Sequence, residues 1–258
     1  MNYNCEIRQQ LIPIGHPNRK GVKINPIAIV VHYTANDKPT ATDTNNVKYI
    51  GRAYKKINGI FYETDSKTKF RQGSAQWFID EDSATLCIPQ NEVAWGCGDR
   101  QLSYNNGYKG QTKIAREIFN HNQNYLTINY ELCNNANWRK TCNNAIPIIV
   151  NDMITYGIKP EMIFRHHDIT GKICPKPFVD NIKEWEEFKN NIITNYIKEL
   201  SKLFLDVEKG RWSEKAIENV SKLKIMNGYK DNTFKPTNFI TREEVAAVID
   251  NLLRYLKE

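Results

Sequence analysis

The sequence predicts an α/β fold, a mixed central β-sheet flanked by helices, followed by a small all-α module. Three observations predict it. Short β-branched apolar runs recur between residues 26 and 133. Helical periodicity appears between and after them, and elements in that order build a sheet with helices packed on it. Beyond about Leu203 the strand-like runs give way to two helical patterns around a turn-rich connector. A boundary between Lys198 and Phe204 gives expected domains of 1–198 and 204–258.

Each element has a local reason. Pro26-Ile-Ala-Ile-Val-Val-His-Tyr33 has the length and composition of a buried strand, and it ends in His32. The polar stretch Thr34 to Asn46 follows. Gln76-Trp-Phe-Ile-Asp80 reads as a strand, and turn residues to Ser83 lead to a hairpin partner at Thr85-Leu-Cys-Ile-Pro89. Leu126 to Cys133 is a further strand. Helices are expected at Gln111 to Asn120, at Asn137 to Tyr156 with Gly157 as a C-terminal stop, and at Asn181 to Leu203. In the C-terminal module Phe204 to Val207 reads as extended, and Arg211 to Leu223 and Thr241 to Lys257 as helices. So small a segment has a marginal core of its own, which points to a partner surface.

Composition narrows the partners. The chain has 258 residues, 40% hydrophobic and 25% charged, with no run of membrane-span length. Met1 to Asn18 lacks the apolar core of a signal peptide, so synthesis in the cytoplasm is expected. The net charge of +7 suits an anionic polymer. The lysines are scattered without a basic run, so nucleic acid is not the expected partner. Six cysteines, none in a CxxC pair, read as buried thiols or metal ligands.

The densest chemistry lies in Phe164-Arg-His-His-Asp-Ile-Thr-Gly-Lys-Ile-Cys-Pro-Lys-Pro-Phe178. Zinc takes imidazole nitrogen and thiolate sulfur, and catalytic sites use three protein ligands with one position open. His166 and Cys174 suit two of these positions. His32, at a strand end where α/β sheets gather their chemistry, suits the third. Residue by residue the bland alternatives stand: a lone histidine beside an apolar run is as compatible with a core residue, and the histidine pair with a solvated loop.

Ile29-Val-Val-His-Tyr-Thr-Ala-Asn36 and Arg165-His-His-Asp-Ile-Thr-Gly-Lys-Ile-Cys-Pro175 resemble the two zinc motifs of the type 2 N-acetylmuramoyl-L-alanine amidases. That family includes phage endolysins, bacterial autolysins and peptidoglycan recognition proteins. The resemblance continues, in order, through Ser74 to Asp80, Ile88 to Gly96 and Thr127 to Cys133. It implies one zinc ion on His32, His166 and Cys174, with Glu131 as the catalytic carboxylate and Lys172 beside it. It leaves His167 as a supporting residue and places Gln76 and Trp95 at the substrate. The implied reaction is hydrolysis of the amide between N-acetylmuramic acid and L-alanine of peptidoglycan, by an endolysin or autolysin acting on the wall after release. The alternative is a non-catalytic wall-binding protein that keeps the fold. Many relatives carry histidine where this chain has Gln76 and Gly96.

Phe204-Leu-Asp-Val to Ile217, and Ile225-Met-Asn-Gly-Tyr to Glu244, resemble one S-layer homology motif. Such modules bind anionic secondary cell-wall polysaccharide. The resemblance places Trp212, Gly228 and Arg242 at glycan-binding positions, although Trp212 is as compatible with core packing. The family pattern is three tandem copies. A single copy could complete a three-fold bundle as a homotrimer.

Overall fold

The structure is a computed structural model and describes residues 3–64, 68–70, 72–98, 111–119, 122–200 and 204–256. The expected ends of three helices, at Asn120, 201–203 and Lys257, lie outside them. The chain divides into two compact units, Asn2–Asn195 and Tyr196–Glu258.

The strands are β1 (Glu6–Gln9), β2 (Ala28–Tyr33), β3 (Tyr54–Ile57), β4 (Ile60–Glu63), β5 (Trp77–Ile79), β6 (Ser83–Leu86), β7 (Thr127–Leu132) and β8 (Ile163–Arg165). The helices are α1 (Asp43–Ile50), α2 (Lys113–Phe119), α3 (Trp138–Tyr156), α4 (His166–Thr170), α5 (Lys176–Asp180), α6 (Ile182–Leu200), α7 (Glu214–Lys222) and α8 (Arg242–Tyr255). Six strands form one mixed sheet in the order β1-β6-β5-β7-β2-β8. Only the β5–β6 pairing is antiparallel. β3 and β4 form a separate hairpin.

β2 lies between β7 and β8, and Ala28 to Val31 are entirely buried. Strands covered on both faces read as unbroken apolar runs. Burying each Val or Ile there stabilises the fold by about 1.5–3 kcal/mol. Alternation along the strands separates the faces. Trp77 and Tyr130 point towards α3 and meet Asp152. Phe78 points the other way, into a cluster with Val47 and Ile50 of α1. Val30 packs on this second side with Ala115 and Phe119 of α2 and Ile169 of α4. Asn129 and Glu131 flank Tyr130 in sequence, and Glu131 is the register partner of His32. All three therefore face the α1–α2–α4 side.

α3 begins at Asn137, whose side chain accepts from the Lys140 N–H, and ends at left-handed Gly157. Pro147 within it has no N–H to reach the Asn143 carbonyl. That carbonyl accepts from the Asn4 side chain at 3.1 Å instead. β6 begins at Ser83, two residues earlier than expected, because Asp80 accepts the N–H groups of Asp82 and Ser83 and tightens the turn.

In the second unit Phe204, Val207 and Ile217 form a small core against Phe234. Phe204 to Val207 is a turn rather than an extended piece. Asp206 accepts the N–H groups of Phe234 and Lys235, each at 2.7 Å, and this bends the segment. No residue of α8 is buried, and Val245, Ile249, Leu252, Leu253 and Leu256 are exposed.

Candidate metal centre and active site

Three chain segments meet at the C-terminal ends of β2, β7 and β8. His32 is the penultimate residue of β2 and is 1% exposed. β8 runs directly into α4, whose first residue is His166. Gly171 then adopts a left-handed conformation, and the chain turns back. The His167 N–H donates to the Cys174 carbonyl at 2.8 Å, which returns Cys174 to the side of His166. The ligand atoms of His32, His166 and Cys174 all lie within 4.8 Å of one another, and all three residues are buried.

The donor set fits a cation. His32 Nδ1 lies 3.1 Å from His166 Nδ1 and 3.9 Å from Cys174 Sγ. Burial lowers the His32 imidazole to about 4, with Lys172 adding to the effect. Burial, then His32 and Lys172, lower His166 to about 2. Both rings are thus neutral near pH 7, the form in which imidazole binds metal. Burial and Glu131 push the Cys174 thiol up to about 12, and a cation beside it would favour the thiolate. His166 Nε2 and Glu131 Oε2 are buried with no protein hydrogen-bond partner.

Glu131 sits next to His32 across the β2–β7 pairing. Burial raises its carboxyl to about 7, against the opposing pull of Lys172. A group poised near neutrality can both accept and return a proton. Lys172 is exposed on the loop between α4 and α5, two residues before Cys174. His167 lies outside the ligand set. Its Nδ1 is 3.0 Å from the Lys172 carbonyl, so it braces the loop.

The remaining expectations divide. Gln76, expected at the substrate, is fully buried beneath the site. Its Nε2 donates to the Glu92 carbonyl at 2.8 Å, and its Oε1 accepts the Asn129 N–H at 2.7 Å. No face of it is left for a ligand. Trp95 is half-buried, edge-on to Tyr125 with centroids 5.9 Å apart, and the Lys20 ammonium lies 5.0 Å from its ring centre. Asn129 and Cys97, which sequence reasoning missed, lie directly behind His32. The sequence signal for Asn129 is a polar residue inside a buried strand, and Cys97, outside any strand, carries none.

In the second unit Trp212 is 91% exposed, not core, and Arg242 opens α8 on the surface. Gly228 has a packing reason: a Cβ there would lie 2.1 Å from Phe204 Cε1 and 2.6 Å from the Thr233 carbonyl oxygen. A cavity of about 370 Å³ opens among Met226, Tyr229, Phe234, Phe239 and Ile240, and none of the three glycan-binding candidates lines it.

A parallel-centred sheet with a His–His–Cys cluster and a strand-end glutamate defines a class, and the comparisons agree with it. The profile of the N-acetylmuramoyl-L-alanine amidases matches residues 23–177, and the chain belongs to that family. An S-layer homology domain profile matches residues 203–246. The chain is 31% identical over 188 residues to the N-acetylmuramoyl-L-alanine amidase BlyA of Bacillus subtilis strain 168, covering 70% of this chain and 45% of that protein. It is 28% identical over 191 residues to the amidase CwlL of Bacillus licheniformis, covering 72% and 46%. The chain thus spans less than half the length of these curated relatives. The catalytic domain of XlyA superposes with a TM-score of 0.54 at 26% identity, covering 72% of this chain and 99% of that one. The chain is also 43% identical over 44 residues to Cell surface glycoprotein 1 of Acetivibrio thermocellus, covering 17% of this chain and 2% of that protein.

Proposed function

We propose that this protein hydrolyses the amide between N-acetylmuramic acid and L-alanine of peptidoglycan, using one zinc ion held by His32, His166 and Cys174. The observation that carries the reading is the convergence of those three buried ligands beside Glu131. Zinc bound there would make water nucleophilic near neutral pH and polarise the scissile carbonyl. Glu131 takes the proton of the attacking water and returns it to the departing amine. Lys172 offers positive charge to the oxyanion that forms on the substrate. The products are the lactyl carboxylate and a free L-alanine N-terminus. Retention of all three ligands and the carboxylate favours catalysis over a fold kept for binding alone. Digestion of purified wall, with and without chelator, tests this. Chelator-sensitive release of new L-alanine N-termini is expected, and new reducing ends without new amines would overturn it.

The protein acts, in this reading, on the cell wall as an endolysin or autolysin. The S-layer homology unit holds it there on anionic secondary polysaccharide, through Trp212 and Arg242. The exposed apolar face of α8 supports association of this unit into a homotrimer. Light scattering at micromolar concentration checks that association, and a monomer would count against it.

A further inference from the structure

We infer that Asn129 is the positioning residue that holds the hydrogen of His32 on Nε2 and so leaves the Nδ1 lone pair turned to the His166–Cys174 pair, and that Gln76 and Gly96 exist in this chain to hold Asn129 in place. The inference rests on the reading of His32 as a metal ligand.

The chain of contacts starts from backbone groups whose roles are unambiguous. The Glu92 carbonyl can only accept, so the Gln76 atom 2.8 Å from it is the amide nitrogen. The Asn129 N–H can only donate, so the Gln76 atom 2.7 Å from it is the oxygen. The side-chain amide of Asn129 is oriented in the same way. Its Nδ2 faces the Thr127 carbonyl at 3.4 Å, the Thr127 hydroxyl at 3.3 Å and Gln76 Oε1 at 3.4 Å. Its Oδ1 therefore points to His32, 2.9 Å from Nε2. An amide oxygen has no proton to give, so Nε2 carries the hydrogen and the lone pair is left on Nδ1. Nδ1 is the nitrogen that faces His166 and Cys174. The Cys97 thiol donates to the same Oδ1 at 2.9 Å and closes the far side.

Gly96 is the condition for this arrangement. A Cβ at that position would lie 2.6 Å from Asn129 Oδ1 and 2.8 Å from its Cγ. Asn129 thus fills the space that any larger side chain at position 96 would need. The two departures from the family pattern and the polar residue inside β7 are one linked set. Hydrogen bonds from outer residues that fix the orientation of a ligating imidazole commonly contribute 10–100-fold in metal affinity, an order-of-magnitude expectation for Asn129.

The test reads the His32 ring directly. In metal-free, 15N-labelled protein near neutral pH, the two-bond nitrogen–proton pattern of His32 is expected to report a hydrogen on Nε2. A hydrogen on Nδ1 in a parent protein that binds zinc would overturn this inference alone. A parent that binds no zinc would overturn the ligand reading and the inference with it. In Asn129→Ala and Gly96→Ala, His32 is expected to become a mixture of the two protonation forms. Zinc affinity, measured by competition with a chromophoric chelator, is expected to fall about 10–100-fold in both. Either variant, folded, with an unchanged His32 pattern and zinc affinity within about twofold of the parent, would overturn it. If both substitutions prevent folding, the His32 pattern of the parent still decides.

Discussion

Replacing Arg19 by methionine should unfold the amidase unit more readily than any surface change, and the deficit should depend on pH in a known direction. Arg19 and Glu92 are 6% and 2% exposed. The guanidinium meets the carboxylate twice, at 2.8 and 3.2 Å, and donates to the Ile12 carbonyl at 2.6 Å. Arg19→Met leaves a buried carboxylate and a buried carbonyl short of a donor. Losing one member of a buried pair costs about 3–5 kcal/mol. Lys23 stays on Glu92 Oε1 at 3.1 Å, but its side chain is 65% exposed. It offsets part of the loss and puts the expectation near the lower figure, about 3 kcal/mol. The Arg19 hydrogen bond holds the Glu92 carboxyl below the usual carboxylate range against the effect of burial, with Lys23 helping. A carboxyl lowered by folding contributes stability above its unfolded value, and that stability is lost as pH falls through the folded value. The deficit of Arg19→Met should therefore be largest near pH 7 and shrink towards about pH 4. Urea unfolding followed by tryptophan fluorescence at both pH values measures it. A loss under about 1 kcal/mol near neutrality, or a deficit that grows on acidification, would refute the reasoning.

Three further outcomes are expected. Glu131→Ala should keep its zinc and lose wall cleavage by a factor on the order of 10²–10⁴, since proton transfer contributes that much; a folded, zinc-loaded variant cleaving at the parent rate would remove Glu131 from the mechanism. Tyr130→Phe removes a 2.5 Å donor from Asp152, whose carboxyl burial raises to about 6. Its cost should be about 1.5–3 kcal/mol where Asp152 is ionised, above about pH 6, and smaller near pH 5, where the folded state holds it protonated; equal costs in urea unfolding would contradict this. Gly228→Ala must displace the Phe204 ring, and should destabilise the C-terminal unit by about 1–3 kcal/mol; unchanged amide-exchange protection across residues 204–256 would count against that.

The sequence made some of this legible and hid the rest for definite reasons. β2 was readable because burial on both faces leaves an unbroken apolar run, β7 because Ile128, Tyr130 and Leu132 recur at every second position, and α3 because one-sided burial leaves a helical stripe. The cluster of His32, His166 and Cys174 was legible only through the resemblance of the two motifs that carry it, since spacing alone left each residue open to a core or loop role. α1 was missed inside a polar stretch because Val47 is its one strongly apolar buried side chain besides Ile50, while the buried Asp43 looks like a surface residue. Asp43 is satisfied by Thr85, on a strand far along the chain. The β3–β4 hairpin was passed over although Asn58-Gly59, both with positive φ, is a strong turn signal. The placement of Gln76 could not be foreseen, because its partners Asn129 and Glu92 come together only when β5, β7 and the loop after β6 assemble.

The backbone turn that returns Cys174 to His166 has a consequence for how the centre is loaded. Its closing bonds, from the His167 and Gly171 N–H groups to the Cys174 and His167 carbonyls, use no ligand side chain. His32 stands on a strand paired on both sides. If the three side chains hold a cation as proposed, the entropy of gathering them is spent when the chain folds, before any ion arrives. A cation entering such a prearranged cradle repays desolvation and proton release rather than chain ordering. Stripping and restoring the metal should consequently be a reversible local event, and the emptied protein should stay folded, unlike small domains whose structure exists only around their ion.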